Sequence, residues 1–191
     1  FNFFLPIPLI SLITPICYNA IMAKKPLNDL IWLVNPKDLD LQKIWLEKEI
    51  KRIGEKQIQS LVKLAVKQSK LSYSPYSKYP VGVALLAKRG KIYLGNNSER
   101  AGYSETDHGE ESAVTAGVVS GEVKKSGRRF IEALAVSHKL GSSPCGRCRQ
   151  IIAEHCDNCV IINCDLKGEI KSITSLKNLF PDAFTPTSMG F

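Results

Sequence analysis

The sequence contains no internal repeat, no low-complexity linker and no dense tract of basic residues. A chain of 191 residues without such a linker suits one domain, or one domain with an extension. The net charge of +8 comes from Lys and Arg residues that recur singly, so it only weakly favours a polyanionic partner. With 44% hydrophobic residues, the chain can bury a sizeable core.

The first 21 residues, FNFFLPIPLISLITPICYNAI, are apolar but lack the basic residues that open a secretory signal. Their three prolines would also break a membrane helix. Met22 opens the segment MAKKPLNDL, which is typical of a cytosolic start. We therefore expect residues 1–21 to be upstream translation or a processed leader outside the fold, with a hydrophobic membrane anchor as the alternative.

Two short segments, HGE and PCGRC, combine residues that bind zinc. A zinc ion that performs hydrolysis needs three protein ligands and a fourth position for water, and His108, Cys145 and Cys148 make up that number. Glu110 is then the free carboxylate, close enough to move protons without binding the metal. The two segments together predict a catalytic zinc site.

Apolar runs over residues 111–119 and 148–155 predict helices, so all three ligands should lie at or near helix N-termini. The helix dipole and the metal both lower thiol pKa values there, which favours the thiolates that zinc requires. Two thiolates and a neutral imidazole balance the charge of Zn²⁺. The acidic Glu111 suits this neutral arrangement, whereas a site with three thiolates would gain from a cation.

A second cysteine pair, Cys156 and Cys159, offers other interpretations. A Cys-x-x-Cys pair can be redox-active or can belong to a structural zinc site. Only seven residues separate the two pairs, fewer than the roughly 15–20 of a four-cysteine zinc pattern. We therefore expect Cys156, Cys159 and Cys164 to be buried small residues, and the cysteine content as a whole indicates a reducing compartment.

The spacing of apolar residues predicts the order of helices and strands. Helical spacing covers residues 38–53 and 58–69, and a loop rich in Ser and Pro follows. The later segments are a β-hairpin at 81–95, helices at 111–119, 145–155 and 176–180, and strands at 130–137, 160–164 and around Ile170. Strands that alternate with helices predict a layered α/β domain with a mixed sheet.

Five ordered motifs between residues 73 and 184 resemble the cytidine deaminase family. SPYSKYPVG at residues 74–82 is similar to the family's Pro-Tyr-Ser-x-Phe-x-Val-Gly segment, and Asn97 with Glu99 is similar to its Asn-x-Glu pair. HGE, PCGRC followed by Arg-Gln, and FPDAF near the end complete the series. The resemblance implies a three-layer α/β/α fold with a mixed central sheet of about five strands.

The implied function is the zinc-dependent hydrolytic deamination of cytidine and deoxycytidine to uridine and deoxyuridine, with release of ammonia, in pyrimidine salvage. The resemblance also assigns roles to residues. One zinc ion per subunit would be bound by His108, Cys145 and Cys148, and Glu110 would be the proton shuttle. The substrate-binding residues would be Tyr79, Asn97, Glu99 and Phe184.

Asn97 and Glu99 would bind the ribose hydroxyls, because side chains two residues apart on an extended segment point the same way and suit a vicinal diol. Tyr79 would pack against the pyrimidine at a position where the family usually has Phe. Phe184 matches a family aromatic that contacts a base in a neighbouring subunit, which implies a homo-oligomer, either a dimer or a tetramer.

The catalytic domain would span residues 57–188, after a helical extension at residues 22–56. The expected partner is a small nucleoside, with no membrane and no nucleic acid, in the cytoplasm. The sequence departs from the family pattern at Gly109, where Ala is common and where the helix start becomes looser, and at Arg100, where Asn is common.

Three alternatives remain open at the sequence level. CGRCRQ is also similar to blasticidin-S deaminase, so the substrate could be a modified cytosine nucleoside. A polynucleotide deaminase would share the zinc signature, but the Glu99 carboxylate would repel a phosphate backbone. A non-enzymatic zinc-binding or nucleic-acid-binding module would have no use for Glu110 beside the metal.

Overall fold

The computed structural model describes residues 36–181 and 183–190, without the side chains of residues 36–39 and 103. The expectations for residues 1–21 and for a start at Met22 lie outside the described residues. No helix in the described ranges is long and apolar enough to cross a membrane.

The helices and strands are labelled in chain order. Within the described residues they are α1 (Pro36–Ile53), α2 (Glu55–Ser69), β1 (Gly82–Ala87), β2 (Ile92–Asn96), α3 (Gly109–Val119), α4 (Glu122–Ser126), β3 (Ile131–Ser137), α5 (Gly146–Glu154), β4 (Val160–Cys164), β5 (Ile170–Ser175) and α6 (Leu176–Leu179). The predicted helices and strands are confirmed, with ends that differ by at most three residues.

The five strands form one sheet in the order β2-β1-β3-β4-β5. β3 and β4 run parallel, and the other neighbouring pairs are antiparallel. The sheet is therefore mixed, as predicted. α5 is the crossover connection that the parallel pair requires.

Helices cover both faces of this sheet. On one face, α2 buries Leu61 and Ala65 in an apolar cluster with side chains of β1, β3 and β4. On the other face, α3 and α5 bury Val114 and Ile152 in a second cluster. A sheet covered on both faces favours continuous apolar strands, and β1, with the sequence GVALLA, is buried at every position. This arrangement confirms the three-layer α/β/α fold.

α1 packs on the same domain. Its Leu46 is buried in the apolar cluster that contains α2. At the end of β5, the Ser175 hydroxyl donates a hydrogen bond of 3.2 Å to Oε1 of Gln42. The division into an extension at residues 22–56 and a catalytic domain at residues 57–188 stays a prediction.

Three strands end or begin at one edge of the sheet. Gly82, the first residue of β1, pairs with Asn96 at the end of β2 and with Ser137 at the end of β3. The segment before β1, the segment from β2 to α3 and the segment from β3 to α5 therefore lie side by side. The N-termini of α3 and α5 both follow this edge.

The short helix α4 was not predicted. It lies between Gly121 and Gly127, which have φ angles of 80° and 78°. Its first residue, Glu122, is buried and accepts hydrogen bonds of 2.9 Å from the Tyr93 hydroxyl and 2.8 Å from the Ser126 hydroxyl. A helix of five residues is too short to show an apolar period, so only these contacts reveal it.

Gly95 allows α3 to lie directly on β2, and its replacement tests this packing. A Cβ atom at residue 95 would come within 2.3 Å of the Gly109 carbonyl oxygen and 2.4 Å of the Ala113 nitrogen. We expect Gly95→Ala to lower the free energy of unfolding by about 3 kcal/mol, because helix backbone cannot move aside as a flexible side chain can. Urea unfolding measures the change.

Gly102→Ala is the matched control, since the nearest atom to its added Cβ would be Cγ of Glu105 at 3.4 Å. This variant should unfold within about 0.5 kcal/mol of the parent chain. Equal stability of the two variants would contradict the close packing of α3 on β2.

Candidate active site

Two helix N-termini bring the three predicted zinc ligands together. His108 is the N-cap of α3, Cys145 is the N-cap of α5, and Cys148 is the third residue of α5. Nδ1 of His108 lies 3.4 Å from Sγ of Cys145 and 3.3 Å from Sγ of Cys148. All three ligand atoms lie within 4.8 Å of one another.

These distances fit zinc. Tetrahedral coordination with Zn–N of about 2.0–2.1 Å and Zn–S of about 2.3 Å places nitrogen and sulfur ligands roughly 3.5 Å apart. Within the described part of the chain, this is the one group of at least three His, Cys, Asp or Glu side chains with such spacing. The donor set, one imidazole and two thiols, is also typical of catalytic zinc sites with an open fourth position.

The Cys148 thiol is fully buried. Burial, and then the nearby Glu110 carboxylate, raise the pKa of this thiol well above its usual range. Without a metal, burial therefore outweighs the helix dipole at Cys148, and the lowering of the thiol pKa by dipole and metal together stays a prediction. A divalent cation at the site would supply the positive charge that the Cys148 thiolate needs.

Glu110 is the second residue of α3 and is 5% exposed. Its side chain lines the same pocket as His108 and Cys145, but it is not one of the grouped ligands. A carboxylate beside a metal site, and free of the metal, is the placement that proton transfer requires.

Glu111 and Arg147 link the two helices that carry the ligands. Nη2 of Arg147 donates to both carboxylate oxygens of Glu111, at 2.9 and 2.8 Å. The Glu111 carboxylate also accepts a 3.4 Å hydrogen bond from the backbone N–H of His108, which closes a capping box on α3. Sequence reasoning missed this pair, since nothing in the pattern joins residues 36 positions apart.

Two of the predicted ligands, His108 and Cys145, line a pocket of about 420 Å³. Its lining includes two carboxylates, Glu99 and Glu110, and no Lys or Arg from the described residues. Tyr79, Asn97 and Glu99, three of the predicted substrate-binding residues, also line it. The pocket is therefore acidic, although the chain as a whole carries a net charge of +8.

Asn97 and Glu99 follow β2 and hold the loop that precedes β1. Oδ1 of Asn97 accepts from the Ser72 hydroxyl at 2.6 Å and from the Val81 N–H at 2.8 Å, and its Nδ2 donates to the Tyr79 carbonyl at 3.0 Å. Asn97 is therefore buried under this loop and tied to it at three points.

Glu99 holds the same loop through its carboxylate. One oxygen accepts from the backbone N–H groups of Tyr76 and Ser77, at 2.9 and 3.2 Å, and the other accepts from the Ser77 hydroxyl. The hydrogen bond from the Ser77 hydroxyl, aided by the two N–H groups, lowers the pKa of Glu99. Glu99 therefore stays ionised near neutral pH.

Tyr79 and His138 form a pair that the sequence did not predict. The Tyr79 hydroxyl lies 2.5 Å from Nδ1 of His138, and both residues line the pocket. Burial raises the pKa of the Tyr79 hydroxyl, and the backbone N–H of Leu140 opposes part of that shift. A lone His after a strand carries no sequence signal of its own, so His138 could not be singled out.

Phe184 does not line this pocket. Its side chain is 61% exposed, and its carbonyl oxygen accepts a 2.7 Å hydrogen bond from Nε2 of Gln150. Within one chain, the structure therefore separates Phe184 from the other predicted substrate-binding residues.

The two departures from the family pattern have structural explanations. A Cβ on Gly109 would lie 3.1 Å from Cγ2 of Val83 and 3.2 Å from Cγ1 of Val81, so the two valine side chains would have to shift slightly to admit an alanine. Arg100 donates to the Asp107 carboxylate at 2.8 Å and also to the Glu105 carbonyl. Arg100 thereby braces the loop that leads into His108.

The remaining cysteines of the described chain lie away from the ligands. Cys156, Cys159 and Cys164 are buried, as predicted. Sγ of Cys156 lies 3.2 Å from Sγ of Cys159, but neither belongs to the metal-binding group. The structural zinc site that would join the two cysteine pairs is therefore not formed.

Comparison with known proteins points to one family. The family model described as the cytidine and deoxycytidylate deaminase zinc-binding region matches residues 55–164. The cytidine deaminase of Sporosarcina psychrophila is 39% identical over 137 residues, which is 70% of this chain and 96% of that protein. The cytidine deaminase of Halalkalibacterium halodurans is 38% identical over 136 residues, with 69% of this chain and 97% of that protein covered.

Solved structures agree with these sequence relatives. The crystal structure of cytidine deaminase from Burkholderia pseudomallei matches with a TM-score of 0.60 at 30% identity, over 65% of this chain and 97% of that chain. Cytidine deaminase from Mycobacterium tuberculosis matches with a TM-score of 0.55 at 34% identity, over 65% of this chain and 94% of that chain. Together with the geometry of the pocket, these matches show that the chain belongs to the zinc-binding cytidine and deoxycytidylate deaminase family.

Proposed function

We propose that the protein is a zinc-dependent hydrolase that deaminates cytidine and deoxycytidine to uridine and deoxyuridine, with release of ammonia. The observation that carries this proposal is the placement of Glu110, a buried carboxylate beside a His–Cys–Cys zinc site and inside the same pocket. The similar proteins named above bear the name cytidine deaminase, which does not favour a blasticidin-directed or polynucleotide-directed enzyme.

His108, Cys145 and Cys148 would hold the zinc ion. When bound, zinc would lower the pKa of a coordinated water molecule to about 7. Glu110 would take up the proton that a water molecule loses on adding to C4 of the cytosine, and would deliver that proton to N3. Glu110 would then carry the remaining hydroxyl proton to the amino group, so that C4 becomes a carbonyl and ammonia leaves. One carboxylate acts as base and as acid in turn.

The contacts of Asn97 and Glu99 leave capacity for one sugar hydroxyl. The described contacts use both lone pairs of the Asn97 oxygen but only one of its two N–H groups, and they leave one Glu99 oxygen able to accept again. One N–H donor and one carboxylate acceptor suit a single hydroxyl, which donates and accepts once. Ribose and deoxyribose share such a hydroxyl, so this arrangement supports the use of both nucleosides, and contact with the full ribose diol stays a prediction.

The charge of the pocket supports a nucleoside rather than a nucleotide. Its lining carries the carboxylates of Glu99 and Glu110, and within the described residues it carries no Lys or Arg to neutralise a phosphate. Phosphate recognition usually relies on such cations. Small nucleosides from pyrimidine salvage are therefore the proposed substrates, and nucleic acid is not.

The proposal extends to assembly and location. The exposed ring of Phe184 supports a homo-oligomer, a dimer or a tetramer, in which Phe184 reaches the site of a neighbouring subunit. The five cysteines of the described chain are free thiols, which suits the reducing cytoplasm. Sedimentation as a monomer at micromolar concentration would contradict the first point, and export from the cytoplasm would contradict the second.

Glu110→Gln tests the role of the buried carboxylate. We expect turnover of cytidine to fall by about 10²–10⁴-fold, because the amide cannot take or deliver the proton. Zinc content should stay unchanged, since Glu110 is not one of the grouped ligands. Loss of absorbance on deamination measures turnover, and metal analysis of the same samples measures zinc.

Glu169→Gln is the matched control, because Glu169 is an exposed carboxylate on the surface that pairs with Lys171. This variant should keep the parent rate. If Glu110→Gln also kept near-normal turnover with zinc bound, another group would have to move the proton.

A comparison of substrates tests whether the pocket selects nucleosides over nucleotides. We expect kcat/KM for cytidine and deoxycytidine to agree within about 10-fold, because each presents one hydroxyl to Asn97 and Glu99. Cytidine 5′-monophosphate should be at least about 100-fold poorer, because its phosphate meets carboxylates without a cation. A nucleotide that is turned over as well as cytidine would refute the proposed selectivity.

A further inference from the structure

His138 is a polar residue of the pocket to which the reaction above gives no task. It follows β3 directly and is only 6% exposed. It lines the pocket together with Glu110 and Cys145. A buried imidazole in this place must satisfy both of its nitrogen atoms, so its partners determine what it can do.

The partners of His138 fix its tautomer. Nε2 lies 2.8 Å from the Ser142 carbonyl oxygen, which can only accept a hydrogen bond, so Nε2 must carry the hydrogen. Nδ1 of the neutral ring is then an acceptor. The backbone N–H of Leu140 lies 3.4 Å from Nδ1 and also acts on the Tyr79 oxygen, so this weak donor is shared between two acceptors.

An acceptor at Nδ1 decides the role of the Tyr79 hydroxyl. The hydroxyl lies 2.5 Å from Nδ1 and has one hydrogen, which it must donate to His138. The Tyr79 oxygen can then only accept hydrogen bonds from other groups, such as the shared N–H of Leu140 or a bound ligand. Tyr79 therefore donates to His138, and His138 in turn donates to the Ser142 carbonyl.

Hydrogen bonds also hold the backbone of Tyr79. The backbone carbonyl of Tyr79 accepts from Nδ2 of Asn97 at 3.0 Å, and its N–H donates to the Ser77 hydroxyl at 3.0 Å. The Tyr79 and His138 rings also lie 5.3 Å apart with an interplanar angle of 35°. Asn97 thus fixes the backbone of Tyr79, while His138 fixes the far end of its side chain.

We propose that His138 is a positioning residue that acts through Tyr79. It holds the Tyr79 ring in place as a wall of the substrate pocket. It also accepts the hydrogen of the Tyr79 hydroxyl, so that the Tyr79 oxygen can only accept a hydrogen bond from a ligand. The proposal rests on the proposed function, because it assumes that cytidine binds in this pocket. It assigns His138 to substrate binding and not to the proton transfers of Glu110.

A double-mutant cycle with Tyr79→Phe and His138→Leu tests the link. If His138 acts through the Tyr79 hydroxyl, each single variant should raise KM for cytidine by about 10-fold with kcat changed by less than about 3-fold. The double variant should match the single ones, because the same hydrogen bond cannot be lost twice. Binding of the product uridine, measured without turnover, should weaken by the same factor.

His155→Leu is the matched control for loss of a half-buried imidazole. His155 packs on Phe130 with ring centroids 5.1 Å apart and contacts the Arg128 carbonyl through Nδ1, but it does not line the pocket. This variant should leave KM unchanged. Thermal unfolding and zinc content of each variant show whether it is folded and loaded.

Three results would overturn the proposal: effects that multiply to about 100-fold in the double variant, a fall in kcat without a rise in KM, or a Tyr79→Phe variant with the parent KM. The last result decides the question even if His138→Leu fails to fold. Failure of the proposed function would look different, since the parent chain itself would then not turn over cytidine.

Discussion

Two helix N-termini face each other at one edge of a mixed sheet, and the zinc site depends on holding them there. The positive ends of the dipoles of α3 and α5 would repel each other. The strand register brings the segments before both helices to the same edge, and Gly95 lets α3 approach β2 closely. The Glu111–Arg147 ion pair then joins the first turns of the two helices. Within this frame His108 and the two cysteines converge.

The pocket beside the zinc site is built by residues with two tasks. Most hydrogen-bonding groups of Asn97 and Glu99 contact the loop before β1, and one donor and one acceptor remain for a ligand. Tyr79 is a part of that loop and is fixed by Asn97 at its backbone and by His138 at its hydroxyl. The shape of the site and its chemistry therefore rest on the same bonds.

Sequence patterns predicted the fold class and the zinc ligands because both depend on local signals. Apolar runs over β1, β3 and β4 mark strands that are covered on both faces, and the HGE and PCGRC segments place ligands beside helix starts. The Tyr79–His138 and Glu111–Arg147 pairs were beyond such reasoning, since they join residues 59 and 36 positions apart. The sequence also could not show that the loop before β1 occupies most of the hydrogen-bonding groups of Asn97, since these contacts form only in the folded loop.

The measurement that tests the zinc assignment most directly is the rate of cytidine deamination as a function of zinc bound per chain. A chelator lowers the zinc content in steps, and added zinc restores it. The rate should rise in proportion to zinc up to one ion per chain, because His108, Cys145 and Cys148 form one site. Full turnover by chain freed of metal, or no turnover by folded chain with one zinc ion bound, would contradict the zinc-dependent mechanism.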